Sequence, residues 1–386
     1  MTIKTFLCQI CEEDALNRVL QFEEFSRVTS DCRPFEKGGE LAICAACGGV
    51  QKLPSPTWHE EISRIYSKYE AYFQADGEEQ VVFDAVRGTP RARSEVFLDR
   101  LRSGGFLGQV ESVLDVGCGT GVTLRALHNA LPRAALNGYE LTDQNLGRLE
   151  RIPRFTHLFT GEIGGIDRRF DFISMVHSLE HFPNPFAALE SIGKNLNPGG
   201  ILFVEVCDVE SNPFDLLIAD HLMHFTKETL SRLVGRAGYE VLHVTTNWIG
   251  KEISLVARFT GVPSTGSSNK RRGAKGAGRI SQSLHWLKEF SKCAANNKSC
   301  KPFGIFGTSI SATWVASEIA LELDYFVDED KRRIGRLYLG KPILSIRDVP
   351  EDGTTFLALV PAVADLVCSR FSSLPLKFIR PPPYEL

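Results

Sequence analysis

The sequence predicts an α/β protein: a mostly parallel sheet with helices on both faces, preceded by a small metal-binding module and followed by a second, smaller α/β domain. From Val113 onward, short apolar runs alternate with helical stretches, which is typical of a parallel sheet. Before that point, cysteines occur in two close pairs, an arrangement that favours a bound metal. After residue 283, three more apolar runs predict the strands of the last domain.

Length and composition limit the class of protein. A chain of 386 residues exceeds one ordinary core, and we divide it into residues 1–85, 86–260, a flexible linker at 261–283 and 284–386. Its 24% charged and 43% hydrophobic residues and formal charge of -3 are typical of a soluble globular protein and do not indicate a nucleic-acid binder. No apolar run is long enough for a signal sequence or membrane span, and the ten cysteines indicate reduced thiols. We therefore expect a cytoplasmic protein that binds no membrane; the oligomeric state is not predicted.

The first module contains two CxxC knuckles, formed by Cys8 with Cys11 and by Cys44 with Cys47. Two such pairs allow thiolates to surround a tetrahedral zinc ion, and they leave no open position for catalysis. The sequence therefore predicts a structural zinc site that stabilises a module too small to fold by itself. A redox dithiol or unrelated cysteines are the alternatives.

The central segment contains a strand-turn-helix unit rich in glycine. Gly117, Gly119 and Gly121 follow the apolar run VLDV with the spacing GxGxG, and Asp115 lies just before them. Glycines let the backbone approach a ligand, and the following helix presents unpaired N–H groups to it. Dinucleotide loops favour GxGxxG around a pyrophosphate, which a carboxylate would repel, whereas S-adenosylmethionine carries an ammonium and a sulfonium. The loop, including Cys118, is therefore predicted to bind S-adenosylmethionine.

Two more acidic residues complete the predicted cofactor site. Glu140 ends the next strand, about twenty residues further on, where a carboxylate accepts ribose hydroxyls. Glu162 is placed to meet the adenine amino group. The alternative is that the glycines only make tight turns.

Histidines near the predicted strand ends are candidates for acid–base chemistry. His181 follows the run FDFISMV, and Asp220 and His221 lie between the run FVEV and a predicted helix. A histidine with a carboxylate neighbour is suited to proton removal, although such residues also serve packing. The segment from His177 to His181 also matches HxxEH, but Pro183 and Pro185 argue against the continuous helix of a zinc protease.

The segments DVGCGTG, FDFISMVHSLEHFPNP and LNPGGILFVEV resemble the successive motifs of class I methyltransferases over roughly residues 110–260. This resemblance implies a Rossmann-like core that transfers a methyl group from sulfonium to a nucleophile. Nearly the full chain resembles the three-domain sugar C-methyltransferases of deoxysugar biosynthesis, through CAACGGVQ, LEHFPNP, and the C-terminal glycine turn and VDED segment. That family has a zinc module and a C-terminal Rossmann-like domain.

The resemblance to sugar C-methyltransferases implies roles for individual residues. It assigns proton removal beside a 4-keto group to His181 and to the pair of Asp220 and His221, and the acceptor is then a nucleotide-linked sugar. This chain departs from the family at two positions: Asp220 stands where the family commonly has Glu, and Ile218 stands where it commonly has Tyr. Tyr69 and Tyr72 are candidates to supply phenolic groups, with aromatic packing as the alternative.

Several functions stay open at this point. An O- or N-methyltransferase acting on a saccharide or another metabolite needs the same base without a keto group. The C-terminal glycine turn at Gly304 and Gly307 is a weak signal for a nucleotide, so a nicotinamide-dependent oxidoreductase is a further candidate. A non-catalytic zinc scaffold is the third.

Overall fold

The structure is a computed structural model that describes residues 6–69, 79, 81–84, 89–264 and 270–384. Tyr72 lies outside the described residues. Within these ranges, no helix combines the length and the apolar character that a membrane crossing requires.

The N-terminal region consists of short strands and one helix. Its elements are β1 (Leu16–Arg18), β2 (Arg27–Val28), β3 (Pro34–Phe35), β4 (Leu41–Cys44), β5 (Val50–Lys52), α1 (Pro56–Tyr66), β6 (Val81–Asp84) and β7 (Thr89–Ala92). Helix α1 begins where the Ser55 side chain accepts a hydrogen bond from the backbone N–H of Trp58, with Pro56 in the first turn.

The central region alternates strands and helices as the sequence predicts. Its elements are α2 (Arg93–Ser103), β8 (Ser112–Val116), α3 (Val122–Ala130), β9 (Ala135–Tyr139), α4 (Leu146–Leu149), β10 (Phe155–Phe159), β11 (Phe170–Val176), α5 (Pro185–Lys194), β12 (Leu196–Cys207), β13 (Met223–His224), α6 (Lys227–Arg236), β14 (Tyr239–Thr245) and β15 (Glu252–Phe259). The seven-stranded sheet has the order β10-β9-β8-β11-β12-β15-β14. Its first five strands are parallel, and β15 is antiparallel to both neighbours, so the predicted terminal strand pair is present.

The strand order places the functional loops. The chain moves outward from β8 in one direction through β9 and β10, then returns to β11 on the other side of β8. In sheets of this kind, ligands bind at the point where the order reverses, outside the carboxyl ends of the strands. That point lies between Gly117, which follows β8, and His177, which follows β11.

The last region contains a smaller sheet. Its elements are α7 (Lys270–Asn297), β16 (Phe303–Phe306), α8 (Ile310–Glu318), β17 (Tyr325–Val327), β18 (Leu337–Tyr338), β19 (Lys341–Leu344), β20 (Thr354–Leu357), α9 (Pro361–Arg370) and β21 (Lys377–Ile379). The order is β18-β19-β17-β16-β20-β21, with only β18 antiparallel to its neighbour. The three strands predicted from sequence are β16, β17 and β20.

The structure differs from the predicted flexible linker at 261–283. From Lys270 the chain is helical, and α7 continues through this segment into the last region. Ile280, Leu284 and Leu287 are spaced by four and three residues and are buried on one face of the helix. Tertiary packing of this apolar face stabilises a helix in a segment whose glycines and serines argue against one.

The three regions share a hydrophobic core. One cluster of buried side chains joins Phe22 and Ile43 of the first region, Phe214 of the central region, and Phe290 and Trp314 of the last. In addition, β13 pairs with β5 and extends the N-terminal sheet to four strands. The segment from β12 to α6 is therefore held by the N-terminal and C-terminal regions as well as by its own sheet. The predicted domain boundaries stay predictions.

Candidate functional site

The glycine turn after β8 has the backbone that its sequence requires. Gly117, Gly119 and Gly121 have φ angles of 78°, 52° and 82°, a region that side chains disfavour. A Cβ atom on Gly117 would lie 2.6 Å from the Cβ of Ser178, which follows β11. The turn therefore contacts the loop that begins at His177, and this contact requires glycine.

Two carboxylates flank the glycine turn. Asp115 is 2% exposed and accepts a hydrogen bond from Ser174 Oγ at 2.7 Å. Burial raises the pKa of Asp115 to about 7. Glu140, at the end of β9, accepts a hydrogen bond from the backbone N–H of Gly119 at 2.6 Å, and burial also raises its pKa. Each carboxylate oxygen has two lone pairs, so these groups retain capacity for an ammonium or for hydroxyls.

The other predicted cofactor residues have different surroundings. Glu162 is exposed after β10, at the same edge of the sheet as Glu140. Cys118 is buried, and a Cβ atom on Gly138 would lie 2.5 Å from its Sγ. The thiol therefore packs against strand β9, and Cys118 contributes to the turn through its backbone.

His181 lies in a short 3-10 turn, Leu179–His181, that ends before Pro183. The predicted absence of a long helix at HxxEH is confirmed. His181 Nδ1 lies 3.1 Å from the phenolic oxygen of Tyr66 and 3.1 Å from the backbone oxygen of Asp220. The side chain is 17% exposed. Tyr66, at the end of α1, contacts this histidine, whereas Tyr69 Oη accepts a hydrogen bond from Ser30 Oγ at 3.5 Å.

His221 is paired with a carboxylate other than the predicted one. Its Nδ1 lies 2.8 Å from Asp215 Oδ1, while the second oxygen of Asp215 lies 2.7 Å from His224 Nδ1. The rings of His181 and His221 meet edge to face, with their centroids 4.6 Å apart. His221 and His181 are therefore brought together as predicted, but Asp215 is the residue that orients His221.

Asp220 points away from the His221 ring. Its carboxylate accepts hydrogen bonds from the Ser30 backbone N–H, at 2.8 Å, and from the Ser30 hydroxyl. It also lies 3.4 Å from His181 Nδ1. Asp220 lies in a turn before β13, so its place next to His221 in the sequence does not aim its side chain at that ring. Asp220 is thus placed to hold His181 and the N-terminal module together.

Lys52 lies behind the histidines and is fully buried. Its Nζ contacts His224 Nε2 and the His221 backbone oxygen, both at 3.1 Å. Burial lowers the pKa of Lys52 to about 7. Burial and the neighbouring charge of Lys52 lower the pKa of His224 to about 4. Burial by itself raises the pKa of Asp215, but the imidazoles of His224 and His221 outweigh it and hold that pKa well below its ordinary value.

Three residues of the site, Lys52, Asp215 and Tyr66, were not predicted, and they differ in how well sequence patterns indicate them. Lys52 follows the motif CAACGGVQ directly, but nothing in the sequence points it toward a histidine. Asp215 lies in the apolar segment PFDLL, where a lone acidic residue is unusual and was a usable signal. Tyr66 lies three residues before Tyr69 in the sequence, and only the packing of α1 shows that Tyr66 is the one that contacts His181.

The four predicted zinc ligands converge. One ligand atom from each of Cys8, Cys11, Cys44 and Cys47 lies within 4.8 Å of all the others. The Sγ atoms of Cys8 and Cys47 are 3.6 Å apart, as are those of Cys11 and Cys44. A tetrahedral zinc with bonds of about 2.3 Å separates its sulfurs by roughly 3.8 Å, so the geometry fits this ion.

The second knuckle is tied to the first by Gln51. Its Oε1 accepts a hydrogen bond from the backbone N–H of Gln9 at 2.8 Å. The amide of Gly49 donates to Cys47 Sγ at 3.4 Å. Hydrogen bonds of this kind orient the ligands of a metal site.

Comparison with known proteins identifies the central region. Residues 89–244 match the family described as a methyltransferase domain. The ubiquinone biosynthesis O-methyltransferases of Psychrobacter arcticus and Idiomarina loihiensis are 29% and 30% identical over 119 and 129 residues. These matches cover 28% and 29% of this chain and 45% and 50% of the relatives. An S-adenosylmethionine-dependent methyltransferase structure from Clostridium acetobutylicum is 12% identical, with a TM-score of 0.38, and covers 53% of this chain and 99% of its own.

The predicted methyltransferase domain is confirmed for the central region. The matched residues include the glycine turn and the loops that contain His181 and His221. The chain spans about half the length of the curated relatives that it matches. The acceptor, the N-terminal metal and the role of the C-terminal region therefore stay proposals.

Proposed function

We propose that this protein is an S-adenosylmethionine-dependent methyltransferase whose acceptor is a nucleotide-linked 4-keto deoxysugar, methylated on the carbon beside the ketone. The main support for methyl transfer is the close approach of Gly117 to Ser178, which brings the predicted cofactor loop against the loop that contains His181. A donor and an acceptor held in adjacent loops react without the entropic cost of an encounter.

The residues around the turn fit the cofactor. When bound, S-adenosylmethionine supplies an electrophilic methyl group on a positively charged sulfur. Asp115 and Glu140 lie on either side of the turn and match the ammonium and the ribose hydroxyls of that molecule. Glu162, at the end of the neighbouring strand, remains the candidate for the adenine amino group.

His221 is our candidate for the base. Asp215 contacts His221 Nδ1, so the other ring nitrogen, Nε2, is left to accept a proton. The 4-keto group acidifies the neighbouring C–H bond; His221 takes that proton, and the carbon forms a bond to the methyl group as the methyl–sulfur bond breaks. His181, oriented by Tyr66 and the Asp220 backbone, lies against the same ring.

The N-terminal cysteines are proposed to bind one structural zinc ion. Their role in the reaction is indirect: the zinc module carries Lys52, which supports His224, and Tyr66, which contacts His181. Stabilising the module therefore keeps two acceptor-side residues in position.

O-methylation is the second candidate, because the curated relatives are named as O-methyltransferases. The same base then takes a hydroxyl proton, and no ketone is needed. A panel of nucleotide-linked sugars, with and without a 4-keto group, incubated with methyl-labelled cofactor separates the two reactions by which sugars gain label and on which atom.

Deuterium exchange tests the base without the cofactor. In D₂O, the unaltered enzyme should catalyse exchange at the carbon beside the ketone, and His221→Asn should lose it. His157→Asn, at an exposed histidine on β10, is the matched control and should exchange normally. If His221→Asn exchanges and transfers as fast as the unaltered enzyme, His221 is not the base; if no sugar accepts label, the acceptor proposal fails.

A further inference from the structure

Three clusters of histidine and carboxylate side chains lie at this edge of the sheet, and a lysine or an arginine already contacts two of them. In the cluster of His177, Glu205 and Glu252, a guanidinium nitrogen of Arg93 lies 3.0 Å from Glu252. In the cluster of Asp215, His221 and His224, Lys52 Nζ lies 3.1 Å from His224 Nε2. In the third cluster, Glu180, His181 and His221, no lysine or arginine of the described chain pairs with the carboxylate.

The carboxylate of Glu180 is the exceptional group in the third cluster. The residue is 1% exposed, and neither of its carboxylate oxygens has a hydrogen-bond partner among the described residues. The nearest base is His177, whose Nδ1 lies 3.4 Å from Oε1. A buried carboxylate whose one ion-pair contact among the described residues is an imidazole at 3.4 Å is poorly compensated, so its position beside the imidazoles of His181 and His221 favours a bound ligand.

The two imidazoles are oriented as metal ligands usually are. His221 Nδ1 contacts the Asp215 carboxylate, and His181 Nδ1 contacts the Asp220 backbone oxygen. Histidines that bind metals generally use one ring nitrogen for such a partner and the other for the ion. The ligating atoms of Glu180, His181 and His221 lie within 4.8 Å of one another.

We infer that Glu180, His181 and His221 form a binding site for a divalent transition-metal ion, distinct from the cysteine site. Two histidines and one carboxylate are the donor set that binds such ions while leaving coordination positions open. Two residues of the HxxEH segment, Glu180 and His181, are thus metal ligands that lie in a short turn and not on a protease helix. The third ligand is His221, and the first histidine of the motif, His177, is not part of the set.

The consequence for turnover rests on the proposed function. A cation on His221 Nε2 occupies the lone pair that the proposed base needs, so a bound cation should inhibit exchange and methyl transfer. Binding itself does not depend on the reaction, and it is therefore measured separately.

The test is a titration of the full chain, loaded with zinc, with Mn²⁺, which prefers nitrogen and oxygen to thiolates. The signal of free Mn²⁺ in electron paramagnetic resonance reports binding. We expect one Mn²⁺ per chain in addition to zinc, with affinity about tenfold weaker or worse in Glu180→Gln and in His181→Asn. Glu205→Gln, at another buried glutamate with an oxygen that lacks a partner, is the matched control and should bind as the unaltered protein does.

Two results overturn the inference: no Mn²⁺ bound at millimolar concentration, or unchanged affinity in folded Glu180→Gln and His181→Asn proteins. Unchanged zinc content and melting temperature, together with unchanged affinity for S-adenosylmethionine, show that each variant is folded, and the second variant keeps the test valid if the first does not fold. Mn²⁺ that binds and inhibits supports both the site and the base. Mn²⁺ that binds and is required for turnover supports the site and refutes His221 as the base.

Discussion

The glycine turn at residues 117–121, here called the cofactor turn, and the acceptor cluster, formed by His181, Asp215, His221 and their contacts, lie at one edge of the same sheet, yet they are assembled differently. The turn is a contiguous segment, and its partner Glu140 lies only 21 residues from Gly119. In the acceptor cluster, Tyr66 and His181 are 115 residues apart, and Lys52 and His224 are 172 apart. One region depends on a single strand-turn-helix unit, whereas the other depends on the docking of separate segments.

This difference separates binding of the donor from transfer to the acceptor. The acceptor cluster needs the zinc module, the β13 pairing and the shared core to be in place. The turn depends on β8, β9, the contact with Ser178 and the packing of Gly121 against Ile152. Damage to the N-terminal module should therefore abolish transfer while leaving cofactor binding.

The largest effect is expected from Cys44→Ser, which removes a zinc ligand. Losing a structural zinc costs several kcal/mol, so the zinc content and melting temperature should fall and transfer should stop. Cofactor affinity, measured by calorimetry, should stay within a few-fold. Cys300→Ser, at an exposed cysteine, is the control. Parallel loss of cofactor binding and zinc would show that the two regions are not separable.

Gly117→Ala should damage the other region selectively. The added Cβ lies 2.6 Å from Ser178 Cβ at a φ of +78°, so the turn must move. We expect cofactor affinity to fall by about a hundredfold, or roughly 2.7 kcal/mol, by calorimetric titration. Gly147→Ala, in open space, should have no effect. Normal affinity in Gly117→Ala would contradict the assigned turn.

Asp215→Asn tests the acceptor cluster alone. Removing the carboxylate that orients His221 should lower kcat by about a hundredfold, within the range for general-base catalysis, at unchanged cofactor affinity. Asp220→Asn should have the smaller effect, because that carboxylate contacts Ser30 and His181. If Asp220→Asn lowers kcat more than Asp215→Asn does, then Asp220 is the carboxylate that supports the base, as the sequence predicts, and Asp215 is not.

The smallest effect is a pH dependence in the cofactor turn. Burial raises the pKa of Asp115 to about 7, so the group is protonated below that pH, and an ammonium ligand favours the carboxylate. Cofactor affinity should therefore rise by about tenfold per unit as the pH increases toward 7, then level off. Asp115→Asn should bind more weakly at high pH and lack this rise. Glu140→Gln should retain it, which separates the two carboxylates.

Much of the molecule could be predicted from the sequence because the relevant residues lie close together in it. The strands around β8, the glycine turn and the position of Glu140 follow from spacing along short segments. The cysteines converge from 33 to 39 residues apart, and it is the chemistry of two CxxC pairs that predicts their meeting. Backbone geometry fixes which side chains share a face over such distances. The HxxEH segment illustrates the same reasoning, since its prolines predict that no long helix forms.

Only the tertiary structure decided which side chains meet across the chain. His221 contacts Asp215 and not its sequence neighbour Asp220, and Lys52 is buried against His224. The segment predicted as a linker forms a packed helix from Lys270 onward. The physical reason is that these contacts depend on how β13 and α7 dock against distant segments. Local spacing determines the direction in which a side chain points, but it does not determine what folds against it.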